Sequence, residues 1–483
     1  MGSSEMSLRY YDVIKDVPDY EYYFTVDELN ESSERLADEY PDKVKYFDIG
    51  TARNGETIKA LKIGEGKLNA LIYGFVHPNE PVGSMMIEYF SRKLAQDDEL
   101  RRDLGFTWYL VKCIDPEGAR MNEGWFKEKD LVTFAKNWWR WPSDEDIDWI
   151  YPIQYKTLKW SKPRPETKIL MRIQQEIKFD VIFPLQDIGG GGGALFNVSD
   201  ICPSLYGAYH ELAKYHNYPL HTVGGSSVSH YYVYLDKGVY IHPNTKMVYD
   251  WLENREKFLK AGNTCPPIGV YIPEVDDPAK LISGGGTVFD YARTINPKVF
   301  LHTPEVCRGN YHDNDPKYYS DEESDVTLKD VSIHIFDIRE EVYKSINETY
   351  KKAKKYIRGK SKFNQRIKSY LENTPKEISL GKEQAKKDPY LKKPAKICEK
   401  YMYLETIVSL IYEFGMLYQL LNDENNPRLE VLKDEAEQKI ISWKKKIDKE
   451  CDYEFIPIKT NVSLIVGACL ATCDYVREKC MNF

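Results

Sequence analysis

Four short, nearly continuous apolar runs set what this chain can become: "ALIYGFV" at 70–76, "FTWYLVKCI" at 106–114, "FDVIFPL" at 179–185 and "KVFLHTP" at 298–304. Each has the length of a strand, and helical stretches separate them. Strands without polar alternation must be covered on both faces, which calls for mostly parallel pairing with helices above and below. The expected fold is α/β: a mixed, mostly parallel twisted sheet with helices on both faces. Ahead of these runs, Thr25 and Glu28 stand in capping-box spacing at the head of a first helix. Two strand-like runs within 44–64 flank Arg53-Asn54-Gly55, a hairpin signal.

From about Asp325 the pattern changes to long charged helices such as "IREEVYKSINETYKKAKKYIRG", interleaved with apolar ones near 404–421 and 461–476. The 483 residues exceed one ordinary core, so the expected division is a catalytic-size domain over 1–324 and a helical module over 325–483. The module's lysine runs read as solvated faces. It is expected to give packing support, with capping of the cleft, restriction to small substrates and the contact surface of a homo-oligomer as the alternatives.

With 75 acidic against 67 basic residues the net charge is -8, which argues against a nucleic-acid or anionic-membrane partner. The nine cysteines are scattered without a paired framework, as in a reducing compartment, so a cytoplasmic location is expected. The opening "MGSSEMSLRYY" has no apolar signal core and reads as an expression leader. The most apolar helix carries Glu405 and Glu413, which suits a buried helix better than a membrane span.

"GFVHPNEPVGSMM" at 74–86 places His77 and Glu80 three residues apart where a strand ends and a helix begins. Pro81 fits the first helical turn and holds the residue before it extended. Glu80 then caps the helix, whose positive end favours its ionised form, and both side chains stand at the carboxyl edge of the sheet, where α/β folds keep their sites. An imidazole and a carboxylate in this arrangement are half of a metal site. Taken alone, His-x-x-Glu means little.

The motifs downstream give it company. "HPNEP", then "IDPEGARMNEGWF" with Arg120, "RPETK" at 164–168 and "FLHTPEVCRG" with Glu305 fall in one order along roughly residues 20–320. In this the chain resembles the zinc carboxypeptidases of the carboxypeptidase A-like family. The resemblance implies one zinc ion on His77, Glu80 and a third ligand, Glu305 as general base, and Arg120 as the cation that stabilises an oxyanion.

The third ligand, a histidine in the family, should end the run "FDVIFPL"; Gln186 stands there. An amide oxygen is a poorer zinc ligand than an imidazole, so weak or absent metal is expected. Asp187 alternates to the other face while the strand lasts, as does His302 relative to Glu305, and His221 and His230 lie in an insertion of untraced path. Two accounts of Gln186 stay open: a natural loss, or one substitution that silences an otherwise intact site. Retention of Arg120 and Glu305 favours the second. The glycine run 189–193 lacks the Lys-Ser or Lys-Thr of a phosphate loop and reads as a turn that lets substrate approach the backbone.

For a substrate carboxylate the resemblance points to "FAKNWWRW": Asn137 matches, Lys136 takes the place of an arginine, and Arg140 is nearby. "SGGGTVFDYA" resembles the specificity segment, with Thr287, Val288 and Asp290 as pocket residues and Tyr291 as a candidate phenol. The activity implied is a cytoplasmic zinc carboxypeptidase acting on a C-terminal peptide or amide bond, weakened or inactivated at Gln186. The alternatives are an amino-acid deacylase of the same fold, and a non-catalytic peptide-binding pseudo-peptidase. The ligand in each case is a peptide or an N-acyl amino acid.

Overall fold

The computed structural model describes residues 8–189, 193–221, 229–262, 264, 266–310, 322–359, 361–400 and 402–481. The glycine turn expected at 189–193 therefore lies largely outside the described residues. Ten strands form one mixed sheet: β1 Val44–Thr51, β2 Thr57–Ile63, β3 Leu68–Tyr73, β4 Phe106–Val111, β5 Val181–Pro184, β6 Gln186–Ile188, β7 Leu195–Val198, β8 Val233–Asp236, β9 Val239–Ile241 and β10 Phe300–Cys307. Their order is β1-β2-β4-β3-β5-β10-β7-β9-β8, and β6 also pairs with β10. The centre, β4-β3-β5-β10, is parallel. The first hairpin is antiparallel and turns at Gly55, whose positive φ of 89° suits a residue without a Cβ.

Alternation along the central strands sends side chains into two layers. Leu71, Tyr73, Ile182 and Leu301 pack with residues of the helices Pro165–Glu176 and Val288–Ile295. Ala70, Ile72, Val181, Phe183 and Phe300 face the other way, into a core shared with Val82–Gln96, Pro203–Tyr215 and the last helix, Ile458–Met481. The capping box of Thr25 and Glu28 opens the helix Val26–Glu39, as the spacing predicts.

The C-terminal region is mostly helical. Four long helices, Leu328–Ala353, Lys362–Lys387, Met402–Asp423 and Glu430–Glu450, pack on one another, and two short strand pairs accompany them. The helix Ile458–Met481 instead returns to the sheet. Thr472 Oγ1 lies 2.7 Å from His302 Nδ1, and Asn461 Nδ2 donates to the Cys307 carbonyl at 2.9 Å. Leu464, Ile465, Val466, Ala468 and Leu470 are all fully buried. A helix apolar on every side needs neighbours on every side, and the sheet layer supplies them where a bundle edge would not. The last helix of this C-terminal helical region thus packs on the sheet layer and on the helices Val82–Gln96 and Pro203–Tyr215.

The helix Leu404–Asp423 is long and apolar enough by composition to cross a membrane, but two-thirds of that stretch is buried inside the protein. Part of its neighbourhood is the short helix Leu131–Asn137. A Cβ built on Gly415 would come within 1.8 Å of the Ala135 carbonyl oxygen, so glycine permits this contact. Gly415→Ala is expected to destabilise the protein by about 1–3 kcal/mol, the usual cost of overpacking against a backbone. A thermal midpoint equal to that of the parent chain would show that the two helices can separate freely.

Candidate functional site

At the carboxyl ends of the parallel strands lies a cavity of about 640 Å³. Its floor follows from strand register. β6 and β10 run parallel with Gln186 opposite Glu305, so both side chains project from the same face. His77 and Glu80 arrive from the turn after β3. All four line the cavity and all are buried.

Glu80 is not the cap of the helix. Pro81 holds that position without a side-chain cap, and Glu80 points into the site instead. It accepts the Asp187 backbone N–H at 3.1 Å, meets His77 Nδ1 at 2.8 Å and lies 3.4 Å from Arg140 Nη1. Burial alone would raise its pKa, but the His77 charge and hydrogen bond, the Arg140 charge and the Asp187 N–H together outweigh burial and hold the carboxylate ionised. Burial and Arg140 pull the His77 imidazole down, whereas Glu80 and Asp146 together push it up to about 9. Its Nε2 makes no hydrogen bond, with Asp146 and Asp148 oxygens at 3.8 and 3.9 Å. Glu305 accepts from Asn197 Nδ2 at 2.6 Å, and burial followed by the Glu80 charge raises its pKa to about 8.

Gln186 is engaged rather than idle. Its Nε2 donates to Asp148 Oδ2 at 3.1 Å, and burial lifts that carboxyl to about 6. Asp187 stays at the cavity paired with Arg308, which also donates to the Asn79 carbonyl. As alternation predicts, His302 turns away from Glu305, towards Tyr209 and Thr472. His221 is buried beside Tyr240, and His230 beside Tyr231 and Trp251.

The residues present do not fit a three-ligand zinc centre. His77 and Glu80 are suitable donors, but the third position offers only a neutral amide oxygen, a poor zinc ligand, on a side chain whose N–H donates to Asp148. Among the described residues no group of three or more His, Cys, Asp or Glu is arranged to hold a metal ion. Catalytic zinc sites use three protein donors and an open position, and this site has two strong ones.

The other expected residues divide. Arg140 lines the cavity and reaches Asp146 Oδ2 at 3.2 Å. Arg120 does not: it ends the short helix Pro116–Arg120, where Glu56 takes its Nε at 2.9 Å and Asp27 its Nη2 at 2.6 Å. Two carboxylates, from the hairpin and the helix Val26–Glu39, outcompete the cavity for its guanidinium. Lys136 turns to Glu437 and the Tyr418 ring, and Asn137 donates to its own helix at the Thr133 carbonyl. Asp290 closes a capping box with Thr287, and the Tyr291 hydroxyl accepts from Gln175 on the far side of the sheet. None of these five lines the cavity; nor do Thr287 and Val288.

Sequence reasoning missed Asp146 and Asp148, which flank Ile147 at the start of a single helical turn, along with Asn197, Tyr232, Arg308 and the helix Met402–Asp423. "SDEDIDW" offered only an Asp-x-Asp pair. The rest carried no local signal.

The sequence model described as zinc carboxypeptidase matches residues 29–183. A zinc carboxypeptidase A 1 of Anopheles gambiae is 26% identical over 120 residues, covering 23% of this chain and 28% of that protein. A carboxypeptidase B of Astacus astacus is 28% identical over 105 residues, covering 21% of this chain and 35% of the relative. The matched stretch thus spans about a third of the curated relatives' length. The crystal structure of carboxypeptidase A from Helicoverpa armigera aligns with a TM-score of 0.36 at 15% identity, over 61% of this chain and 66% of that one.

Proposed function

We propose, from a chain that belongs to the zinc carboxypeptidase family over residues 29–183, that this cavity binds the C-terminal end of a peptide or an N-acyl amino acid. Its hydrolytic chemistry is silenced or strongly weakened. The observation that carries this is Gln186: it stands in register with Glu305, in one cavity with His77 and Glu80, its amide N–H donates to Asp148, and a neutral amide oxygen is all that it offers a metal. Glu305, buried and anchored by Asn197, keeps the position of a general base. A bound zinc ion would supply carbonyl polarisation and an acidified water. Without a third strong donor the protein holds that ion poorly.

The test uses the chain as it stands: zinc content after dialysis, binding of a peptide acid and of its C-terminal amide, and hydrolysis of peptides and N-acyl amino acids. The expected result is substoichiometric zinc, binding that favours the free acid, and hydrolysis at background. Stoichiometric zinc with turnover would overturn the silencing, and the released products would then separate a carboxypeptidase from a deacylase. Absence of any binding would overturn the ligand assignment.

A second reading, a peptide-binding protein that never hydrolyses, is favoured by one observation. Arg120, Lys136 and Asn137 all lie outside the cavity, so more than the third donor is missing.

A further inference from the structure

One wall of the cavity comes from outside the α/β layers: the helix Met402–Asp423 lines it with Glu405, Ser409, Tyr412 and Glu413. This helix and two of its neighbours also grip the stretch of chain that carries Arg140. Residues 138–141 are neither helix nor strand, so their backbone polar groups need partners that no ladder supplies. Asn122 serves Trp139: its Oδ1 accepts the N–H at 2.9 Å and its Nδ2 donates to the carbonyl at 3.0 Å. The Trp138 carbonyl is left to Gln419, whose Nε2 donates to it at 2.7 Å.

The side chains repeat the pattern. Just ahead of the stretch, Ala135 abuts Gly415, and Lys136 pairs with Glu437 at 2.5 Å. The Trp138 ring stacks on Tyr412 with centroids 5.0 Å apart and an 18° tilt, and the Arg366 guanidinium carbon lies 5.9 Å from it. Trp139 meets Phe363 edge-on at 5.0 Å, and Lys362 Nζ lies 5.0 Å from the Trp141 ring. Residues 138, 139 and 141 are thus each held by a C-terminal helix. Arg140, between them, goes to the cavity instead, with Nε 3.2 Å from Asp146 and Nη1 3.4 Å from Glu80. Among the described residues Nη2 has no hydrogen-bond acceptor. A planar guanidinium fixed at two nitrogens presents the third in one direction, and that direction depends on the backbone behind it.

We infer that the C-terminal helices position Arg140: by fixing the Trp138 carbonyl two residues ahead, Gln419 acts as a positioning residue that aims the guanidinium at the carboxylate of the bound ligand. This rests on the reading of the cavity as a site for a peptide acid. It gives helices far outside the matched stretch 29–183 a task in ligand selection.

The test measures binding of N-benzoyl-glycyl-phenylalanine and of its C-terminal amide to the full chain. The parent is expected to prefer the acid. Gln419→Ala is expected to weaken acid binding about fivefold, the scale of one hydrogen bond, and to leave amide binding as it was. A loss of packing alone would weaken both ligands alike. Arg140→Met should remove the preference for the acid, with retained amide binding showing that the variant is folded. In that background Gln419→Ala should have no further effect, because two residues acting as one unit are not additive. Four results overturn the inference and leave the ligand site in place: equal binding of acid and amide by the parent, no effect of Gln419→Ala on the acid, equal weakening of both ligands, or a loss of acid binding that persists at full size with Arg140→Met. If neither ligand binds, the site assignment itself falls and takes the inference with it.

Discussion

Gln186→His is expected to tighten zinc binding by at least about 100-fold, more than changes around a metal's ligands usually bring, and to raise peptide hydrolysis from background to a measurable rate. The position is prepared for an imidazole. Residue 186 is buried, opposite Glu305 in the parallel ladder, in the cavity that holds His77 and Glu80. Asp148 already accepts a hydrogen bond from the Gln186 side chain. It could accept the same bond from one ring nitrogen of a histidine, fixing the tautomer and leaving the other nitrogen for the metal. The measurements are metal content after dialysis and release of the C-terminal residue from a peptide acid, parent and variant side by side. Adding Glu305→Gln to the variant should abolish turnover and leave zinc in place, which separates proton transfer from metal binding. Equal metal content and equal rates in parent and Gln186→His would leave the non-hydrolytic reading standing.

What could be read from the sequence was what is local. A strand that ends in His77-x-x-Glu80, and a last strand that carries Glu305, are stated by a few neighbouring residues, and α/β topology brings such strand ends to one edge. The hairpin at Gly55 and the capping box at Thr25 are equally local. Arg120 shows where that reasoning stops. Its place in the chain order is right, but the direction of a long side chain is decided by whichever partners are nearest. Asp27 and Glu56, 93 and 64 residues away, are nearest. The cavity wall at Glu405 was illegible for the same reason, since only tertiary packing through Tyr412, Trp138 and Gly415 brings that helix to the site. The last helix was assigned to a bundle because its apolar residues say that it is buried, not against what.

Arg164→Met is expected to lower stability by about 3–5 kcal/mol, the cost of breaking a buried ion pair by removing one partner. The motif order of the sequence assigns "RPETK" no chemistry, and the structure gives it a physical task at the start of the helix Pro165–Glu176. Arg164 is almost fully buried. It donates from Nη2 to Asp115 at 3.0 Å, from Nε to Glu166 at 3.1 Å and from Nη1 to the Glu145 carbonyl at 2.9 Å. Asp115 in turn accepts from Trp141, and Glu166 from the Arg53 backbone N–H at the hairpin tip. One guanidinium therefore ties the hairpin, the turn after β4 and the helix Pro165–Glu176 behind the site. Burial already raises the Asp115 pKa above its ordinary value even with Arg164 beside it. Without that charge the pKa must rise further, so the native state binds protons that the unfolded chain has released. Stability then falls as pH climbs through that interval. The urea midpoint of Arg164→Met should accordingly drop further below the parent value at pH 8 than at pH 5. Adding Asp115→Asn should recover part of the loss and reduce the dependence on pH. A gap of the same size at both pH values would mean that Arg164 contributes packing on the Trp141 ring, 5.1 Å from its guanidinium carbon, and little charge.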